Sequence, residues 1–424
     1  MEANVQLSTK FLTTQNAHQV GMLITVAGEK PLDRRPINVA LVLDRSTSMT
    51  GEPIEAAKDA AIRFATFLGP QDRLAVVTFD DEVETVFGPQ AAGDASVADT
   101  IRRIQARAST NLSGGWLKGR EHVQSGLVEG TNRVVLLTDG LANQGIVEPD
   151  TLNQLTRGAM IDRVSTTCIG FGAEFNEDLL RAMGKAGGGN YWYVENVDQM
   201  GSIFDEEIEG LVALAAQNLE IKVILDDARV AGVSFPQSFD VQRTQDGVYV
   251  TTFGDLYATT PRVLGIIFHV EDLTDLGQTK LGSVVVTADH LVDDGVEHRT
   301  TTMPVVANLD AKDHVEPEVE AKLTRFEAAK AREEAVRQAD RGDYESAAGS
   351  LRSAHSMLGS LPQSAELDEE MEDLAAEASR MEQGDYGALD RKYHLARSSG
   401  AFSLTPSYVD KISRQKRKKR KKKE

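Results

Sequence analysis

The stretch "INVALVLDRSTSMTG" (residues 37–51) decides the fold, because an apolar run stops at an aspartate and is followed by two alternating serines. Residues 37–43 are almost all apolar or β-branched, which is typical of a strand buried on both faces of a sheet. Asp44, Ser46 and Ser48 then place one carboxylate and two hydroxyls where this strand ends. Three interpretations are open at this point: a helix cap, a catalytic aspartate, or part of a metal site.

The alternation of apolar runs and amphipathic stretches continues to about residue 210. Further strands are predicted at 73–79, 133–138 and 164–171, and helices at 53–68, 112–129 and 150–161, with one more helix and a last strand within 175–194. Residues 83–89 are predicted to form an antiparallel edge hairpin with the strand before them. This alternation predicts an α/β fold, a doubly wound, mostly parallel, Rossmann-like sheet covered by helices on both faces.

The flanking segments have a different texture. Residues 3–28 have strand character, and beyond residue 217 the chain is again rich in short strands separated by Gly, Asp and Pro turns, which is typical of an antiparallel β-sandwich. We expect the first strands to complete this sandwich, with the α/β domain inserted between them. From about 313 to 383 the sequence is charged, alanine-rich and helical. Its two Gly-Asp-Tyr triplets are too far apart for a tetratricopeptide repeat, which favours a plain helical hairpin.

These patterns predict a division into five segments. The N-terminal strands of the sandwich occupy residues 1–34, the α/β domain 35–212, the rest of the sandwich 213–310, a C-terminal helical region 311–385, and a linker with a basic disordered tail 386–424.

Composition restricts the class of protein and its surroundings. The 424 residues, 41% hydrophobic and 26% charged, indicate a soluble globular protein, and the net charge of −19 combines an acidic body with a basic tail at 413–424. We expect the tail either to make weak contacts with polyanions or to act only as a solubilising end. Cys168 is the sole cysteine, the first residues lack a secretory signal, and no apolar run is long enough for a membrane span, so we predict a cytoplasmic protein.

The remaining strand ends favour a metal site over a cap or a catalytic aspartate. A cap explains only one or two of the three positions, and a haloacid-dehalogenase-type phosphotransferase needs a second acid where the chain has Ser46, so no enzyme is predicted. "RVVLLTDG" (133–140) brings Asp139 to the end of another strand, and "STNLSGG" (109–115) brings Thr110 to a turn that opens a helix. Because ligands collect at the carboxyl ends of parallel strands, these side chains should converge. Oxygen donors without His or Cys favour Mg²⁺, with Mn²⁺ or Ca²⁺ as alternatives, over zinc.

Residues 37–210 resemble a von Willebrand factor type A (VWA) domain. "DRSTS" (44–48) matches the Asp-x-Ser-x-Ser motif of its metal-ion-dependent adhesion site (MIDAS), "STNLSGG" matches its threonine loop, and "LLTDG" matches its aspartate loop. The resemblance implies that Ser46, Ser48 and Thr110 supply hydroxyl ligands, while Asp44 and Asp139 act directly or through water.

A function follows from the charge of such a site. Three neutral hydroxyls leave the cation under-neutralised, so it attracts a carboxylate from outside the chain. We therefore predict a Mg²⁺-dependent protein-binding module that acts as an intracellular adaptor and ligates an Asp or Glu of a protein partner. The alternative is a VWA subunit of a multi-protein complex that works with a separate AAA+ ATPase of the chelatase or maturation type, because the chain has no Walker motif. A purely structural metal is the competing interpretation of the site.

Two nearby features have a weaker functional interpretation. "GKAGGGN" (184–190) is glycine-rich, but it lacks the Ser or Thr that follows the lysine of a phosphate-binding loop. Trp116, beside the threonine loop, either lines a partner surface or packs beneath the loop.

Overall fold

The fold was analysed in a computed structural model, which describes residues 1–403 except 13–16, 30–33, 93–95, 108, 173, 227, 238, 271–276, 293–294 and 311. The basic tail at 413–424 therefore lies outside the described residues. The described strands are β1 (Glu2–Leu12), β2 (Ala17–Ala27), β3 (Ile37–Asp44), β4 (Arg73–Phe79), β5 (Val83–Ala91), β6 (Thr131–Thr138), β7 (Ser165–Phe171), β8 (Gly188–Val194), β9 (Leu214–Leu225), β10 (Val230–Ser234), β11 (Gln242–Arg243), β12 (Tyr249–Tyr257), β13 (Arg262–Val270), β14 (Gly277–Val292) and β15 (Gly295–Leu309). The described helices are α1 (Glu52–Phe67), α2 (Ser96–Arg102), α3 (Leu112–Gln124), α4 (Pro149–Ile161), α5 (Glu177–Ala186), α6 (Val197–Val212), α7 (Pro317–Asp340), α8 (Tyr344–Gly359), α9 (Ala365–Glu382) and α10 (Ala388–Ser403).

The central sheet has the order β5-β4-β3-β6-β7-β8 and is parallel except for β5, which pairs antiparallel with β4. Every residue of β3 and of β6 is buried, as expected for strands covered on both faces. The α/β fold class is confirmed, together with the accompanying antiparallel sheets and the C-terminal helices. The short helix α2, the helix α6 and the strands β10 and β15 were not predicted.

Strands from both ends of the α/β unit share one sheet. β2 pairs with β1 on one side and with β13 on the other, in the order β1-β2-β13-β10, and this sheet packs on a second one of order β11-β12-β9-β14-β15. The chain enters and leaves the α/β unit at adjacent points, because a Cβ on Gly28 would lie only 2.6 Å from the Cβ of Ala215. The exact domain boundaries given above stay predictions.

A buried polar cluster joins the α/β unit to the sandwich. Arg133 of β6 is fully buried, and its guanidinium donates to Glu207 Oε1 of α6 at 2.6 Å, to Asp255 of β12, and to Tyr257 Oη at 2.8 Å. Burial acts to raise the pKa of Glu207, but the charge of Arg133 and three further hydrogen bonds outweigh it, so this pKa lies below its usual range. The cluster holds a cation and two carboxylates in one dry contact between the two units.

The glycine-rich stretch 184–190 has a steric role at the same junction. Gly188 (φ +69°) at the start of β8 touches Gly254 (φ +71°) of β12, where a Cβ on Gly254 would lie 2.2 Å from the Gly188 Cα. Only glycine fits this approach of two backbones at positive φ.

The described residues from 312 to 403 form four helices, so the predicted plain hairpin is wrong. α7 packs against the sheet of β2 and β13 through Leu323 and Phe326, and α8 and α9 follow as a bundle with an alanine- and leucine-rich core. Residues 388–403, predicted to be linker, form α10. This helix is held because Tyr393 and Ala396 pack into the α/β core and the buried Lys392 Nζ donates to the Phe175 carbonyl at 2.7 Å.

Candidate metal centre

The predicted carboxylates lie at the same edge of the central sheet. Asp44 is the last residue of β3, and Asp139 directly follows β6. β3 and β6 are parallel neighbours in which Leu43 is paired with Leu137, so the two aspartates emerge side by side where the strands end. Ser46 and Ser48 follow in a tight turn that includes a single 3₁₀ turn at Thr47–Met49.

Hydrogen bonds connect four of the five predicted ligands. The Ser46 backbone N–H donates to Asp44 Oδ1 at 2.7 Å, and the Ser46 and Ser48 hydroxyls are 3.0 Å apart. The Ser48 hydroxyl donates to Asp139 Oδ1 at 2.7 Å. The other Asp44 oxygen accepts a hydrogen bond from the hydroxyl of Thr138, a residue for which no role was predicted.

Thr110 faces the same space through a gap above Gly140. A Cβ on Gly140 would lie 3.2 Å from Thr110 Oγ1 and 3.8 Å from Ser48 Oγ. Backbone hydrogen bonds fix the threonine loop to its neighbours: Asn111 N–H donates to the Asp80 carbonyl at 2.7 Å, and Asn143 N–H donates to the Thr110 carbonyl at 3.3 Å. The structure thus brings all five side chains to one edge of the sheet, and their ligation of a metal stays a prediction.

The electrostatics of this edge suit a cation. Asp44 is completely buried and Asp139 is 7% exposed, and neither carboxylate is ion-paired with Lys or Arg in the described part of the chain. Burial raises the pKa of Asp44 despite hydrogen bonds from Thr138 and Ser46, and burial raises the pKa of Asp139 to about 6, with a further contribution from the charge of Asp44. Two buried carboxylates without a counter-charge are costly, and a divalent ion among them would remove that cost. The donor set therefore fits a hard cation.

The ligand set combines two acids with three hydroxyls, and Mg²⁺ in proteins is commonly bound through one or two carboxylates. In the described residues, no group of three or more His, Cys, Asp or Glu side chains is placed to hold a metal ion. A site at the edge of the sheet consequently depends on its hydroxyls. Ser48, unlike the two aspartates, is exposed, so the site opens to solvent on that side.

The surroundings of the site are partly apolar. Leu141 and Val147, on the loop after Asp139, are 55% and 47% exposed. Trp116 is fully buried in the core of the α/β unit, and its indole N–H donates to Thr166 Oγ1 of β7 at 3.1 Å, so it does not line a partner surface.

Comparison with known proteins identifies the family of the α/β unit. Residues 38–206 match the von Willebrand factor type A domain. The α/β unit of this chain is a VWA domain, and such domains are typically protein-interaction modules that commonly bind a divalent metal at the MIDAS.

Relatives extend the similarity beyond that domain. An uncharacterized protein of Synechocystis, sll0103, is 27% identical over 334 residues, which cover 76% of this chain and 79% of the relative. A solved von Willebrand factor type A protein from Catenulispora acidiphila has a TM-score of 0.61 at 14% identity and covers 90% of this chain and 88% of its own. The ArnB paralog VWA2 from Sulfolobus acidocaldarius has a TM-score of 0.55 at 15% identity and covers 91% and 99%. These two solved structures therefore share the fold of most of this chain, including parts outside the VWA domain.

None of the helices described in the structure combines the length and the apolar character needed to cross a membrane.

Proposed function

We propose that the protein is a Mg²⁺-dependent protein-binding module, an intracellular adaptor in which Asp44, Ser46, Ser48, Thr110 and Asp139 hold the cation. One observation carries this proposal: two buried carboxylates, which have no Lys or Arg partner among the described residues, lie beside an exposed serine hydroxyl at the open edge of the sheet. When bound, the cation supplies a positive charge that attracts an anionic oxygen from solvent or from another protein.

The chain's own residues prepare the site for such a ligand. Thr138 and the Ser46 N–H hold both oxygens of Asp44, so this carboxylate is fixed before anything binds. The Asn143 side chain accepts from the Thr110 N–H at 3.0 Å and thereby fixes the threonine loop. A site prepared in this way loses little conformational entropy when a ligand arrives, which favours affinity.

The face around the site supports a protein as the ligand. Leu141 and Val147 expose apolar side chains on the loop that follows Asp139. Exposed apolar groups beside a charged centre are typical of protein interfaces, in which an apolar area contributes affinity and a polar contact fixes the register. We therefore propose that the partner presents an Asp or Glu to the site and apolar side chains to Leu141 and Val147.

The experiment is a selection of random peptides displayed on phage, bound to the immobilised full-length protein in Mg²⁺ and eluted with EDTA. We expect the selected peptides to share an Asp or Glu whose change to Asn or Gln abolishes binding, and we expect the Asp44→Asn protein to bind none of them. Asp150→Asn, which removes the charge of an exposed aspartate on α4, is the matched control. Calorimetry measures Mg²⁺, Mn²⁺ and Ca²⁺ binding to the same proteins.

Peptides that bind the folded Asp44→Asn protein equally well, or that remain bound in EDTA, would refute the proposal. Binding of Mg²⁺ without any acidic requirement in the peptides would make the metal structural. The alternative of a complex with a separate AAA+ ATPase stays a prediction, as does the weak polyanion contact of the basic tail.

A further inference from the structure

A cavity of about 380 Å³ lies beside the metal site, on the side of β4 and β5. It is bounded by the strand end of β3 through Arg45, by β5 through Glu84, and by the segment that follows α2 through Arg103 and Arg107. Arg45 is the residue between the predicted ligands Asp44 and Ser46, and its carbonyl accepts the Arg107 N–H at 2.7 Å. The cavity is thus continuous with the loops that carry the metal site.

The arginines of this cavity have unused hydrogen-bonding capacity. Arg45 is only 6% exposed; its Nε donates to Asp80 at 2.9 Å and its Nη1 to Glu84 at 2.8 Å. Its Nη2 is buried and has no hydrogen-bond partner among the residues that the structure describes. A buried guanidinium N–H that lacks an acceptor is costly, which points to an acceptor that arrives from outside the chain.

The arginines around the cavity differ in whether they form ion pairs. Asp80 is fully buried and forms ion pairs with both Arg45 and Arg107, and Glu82 forms a second ion pair with Arg107. Arg103 is exposed and forms no ion pair within the described part of the chain. Of the three guanidinium groups in the wall, Arg45 and Arg107 are thus held by Asp80, Glu82 and Glu84, and Arg103 is the one available for a new ion pair.

We infer that this cavity is a second anion subsite, which takes the carboxylate of a second acidic side chain from the same partner segment that reaches the metal site. The inference rests on the proposed function, since the first acid is the one ligated there. Arg45 Nη2 and Arg103 hold the second carboxylate, with Arg107 beside them.

The sheet geometry sets the spacing between the two acids. The metal site lies over β3 and β6, and the cavity lies over β4 and β5, so the two are separated by about two strand spacings, or ~10 Å. An extended segment advances about 3.3 Å per residue, so ~10 Å corresponds to about three residues. The preferred partner sequence is therefore acid-x-x-acid.

The first arm of the test examines the cavity without the metal site. Side-chain ¹⁵N signals of arginine in the full-length protein are followed during titration with sodium acetate in EDTA. We expect saturable shifts for Arg45 and Arg103 in both the native and the Asp44→Asn protein, and none for Arg102, which is exposed, paired with Asp99 and outside the cavity wall. Equal responses of Arg102 and Arg103 would overturn the inference.

The second arm uses peptides from the Mg²⁺-dependent selection, synthesised with one acid fixed and a second acid placed one to five residues away. We expect the peptide with the three-residue separation to bind about tenfold more tightly than its single-acid counterpart, because a charge-assisted hydrogen bond is added. Arg103→Glu should abolish this preference and leave the affinity of the single-acid peptide nearly unchanged. Arg102→Glu, the same charge reversal one residue earlier, should keep it.

The two arms separate the possible failures. Arginine shifts in acetate without any Mg²⁺-dependent peptide binding would refute the proposed function alone. Mg²⁺-dependent binding in which a second acid adds nothing, or adds equally in the Arg103→Glu protein, would refute the second subsite alone.

Discussion

Replacement of Arg133 by methionine tests how the VWA domain and the sandwich are joined. The change keeps an unbranched chain of similar volume but removes the cation that Glu207 and Asp255 share. All three side chains are almost completely excluded from solvent. The variant therefore removes the counter-charge of Glu207 and leaves Asp255 with the charge of Arg262.

The expected loss is large because the partners cannot reach water. Removal of one partner from a buried ion pair costs about 3–5 kcal/mol, so we expect Arg133→Met to lower the free energy of unfolding by that amount at neutral pH. A matched control is Arg157→Met, which removes the pair of Arg157 with Asp240 between helix α4 and the segment before β11. Both of its members are half exposed, so the expected loss is about 0–1 kcal/mol.

The loss should depend on pH with a defined sign. In the native protein the pKa of Glu207 is lowered, so its stabilising contribution is complete above the unfolded pKa of about 4.3 and is lost as the pH falls through the folded value. Without Arg133, burial remains as the dominant effect on Glu207, and its pKa should rise above the unfolded value. The stability of the variant then decreases as the pH rises from about 4, so the difference from the native protein should widen between pH 4 and 7.

Urea unfolding followed by tryptophan emission measures the free energy of unfolding of the VWA domain. Both tryptophans, Trp116 and Trp192, lie in that domain. Circular dichroism recorded in parallel shows whether the sandwich unfolds in the same transition. A destabilisation by Arg133→Met no greater than that of Arg157→Met, or one that is constant between pH 4 and 7, would refute the reasoning.

Two glycine substitutions test the close approaches in the fold and at the site. Gly254→Ala should lower the melting temperature much more than Gly384→Ala does. Both glycines have positive φ, but of the two only Gly254 has a neighbour, the Gly188 backbone, within van der Waals distance. Equal shifts in the two variants would show that the contact is not needed. Gly140→Ala should weaken Mg²⁺ binding several-fold in calorimetry with little change in melting temperature. The added methyl group would lie only 3.2 Å from Thr110 Oγ1 and would displace this hydroxyl. Undiminished Mg²⁺ binding would place the cation away from Thr110.

The predictability of the fold from sequence follows the strength of the local signal. β3, β4, β6 and β7 are continuous apolar runs, and a strand buried on both faces requires such a run. β15 was missed because it is an edge strand, rich in Thr and charged residues and interrupted by Pro304, which only an edge tolerates. α10 was assigned to linker because its Arg, Lys, Ser and Gly residues look like those of a loop, whereas its helix depends on contacts of Lys392 and Tyr393 with the VWA domain.

The same distinction holds for the functional face. The strand-end residues Asp44 and Asp139 could be placed together from the sequence, because parallel neighbours end at the same edge. That Arg45 and Arg103 line one cavity could not be predicted, because it depends on how α2 packs against β5, and no sequence motif indicates that packing. The contact of Arg133 with Asp255 spans 122 positions, and only the assembled fold shows it.

The adjacent ends of the inserted VWA domain bear on the order in which the chain folds. β1 and β2 form a hairpin, and an isolated hairpin is only marginally stable in water, yet β13 follows β2 by more than two hundred residues. At a synthesis rate of about 5–20 residues per second, the hairpin waits on the order of tens of seconds for this partner. During that interval the VWA domain can fold on the ribosome and bring Gly28 and Ala215 together. The folded VWA domain then holds the two flanking segments of the chain close together. The pairing of β13 with β2 needs only a short loop to close, so most of the loop-closure entropy is removed from the last step of folding.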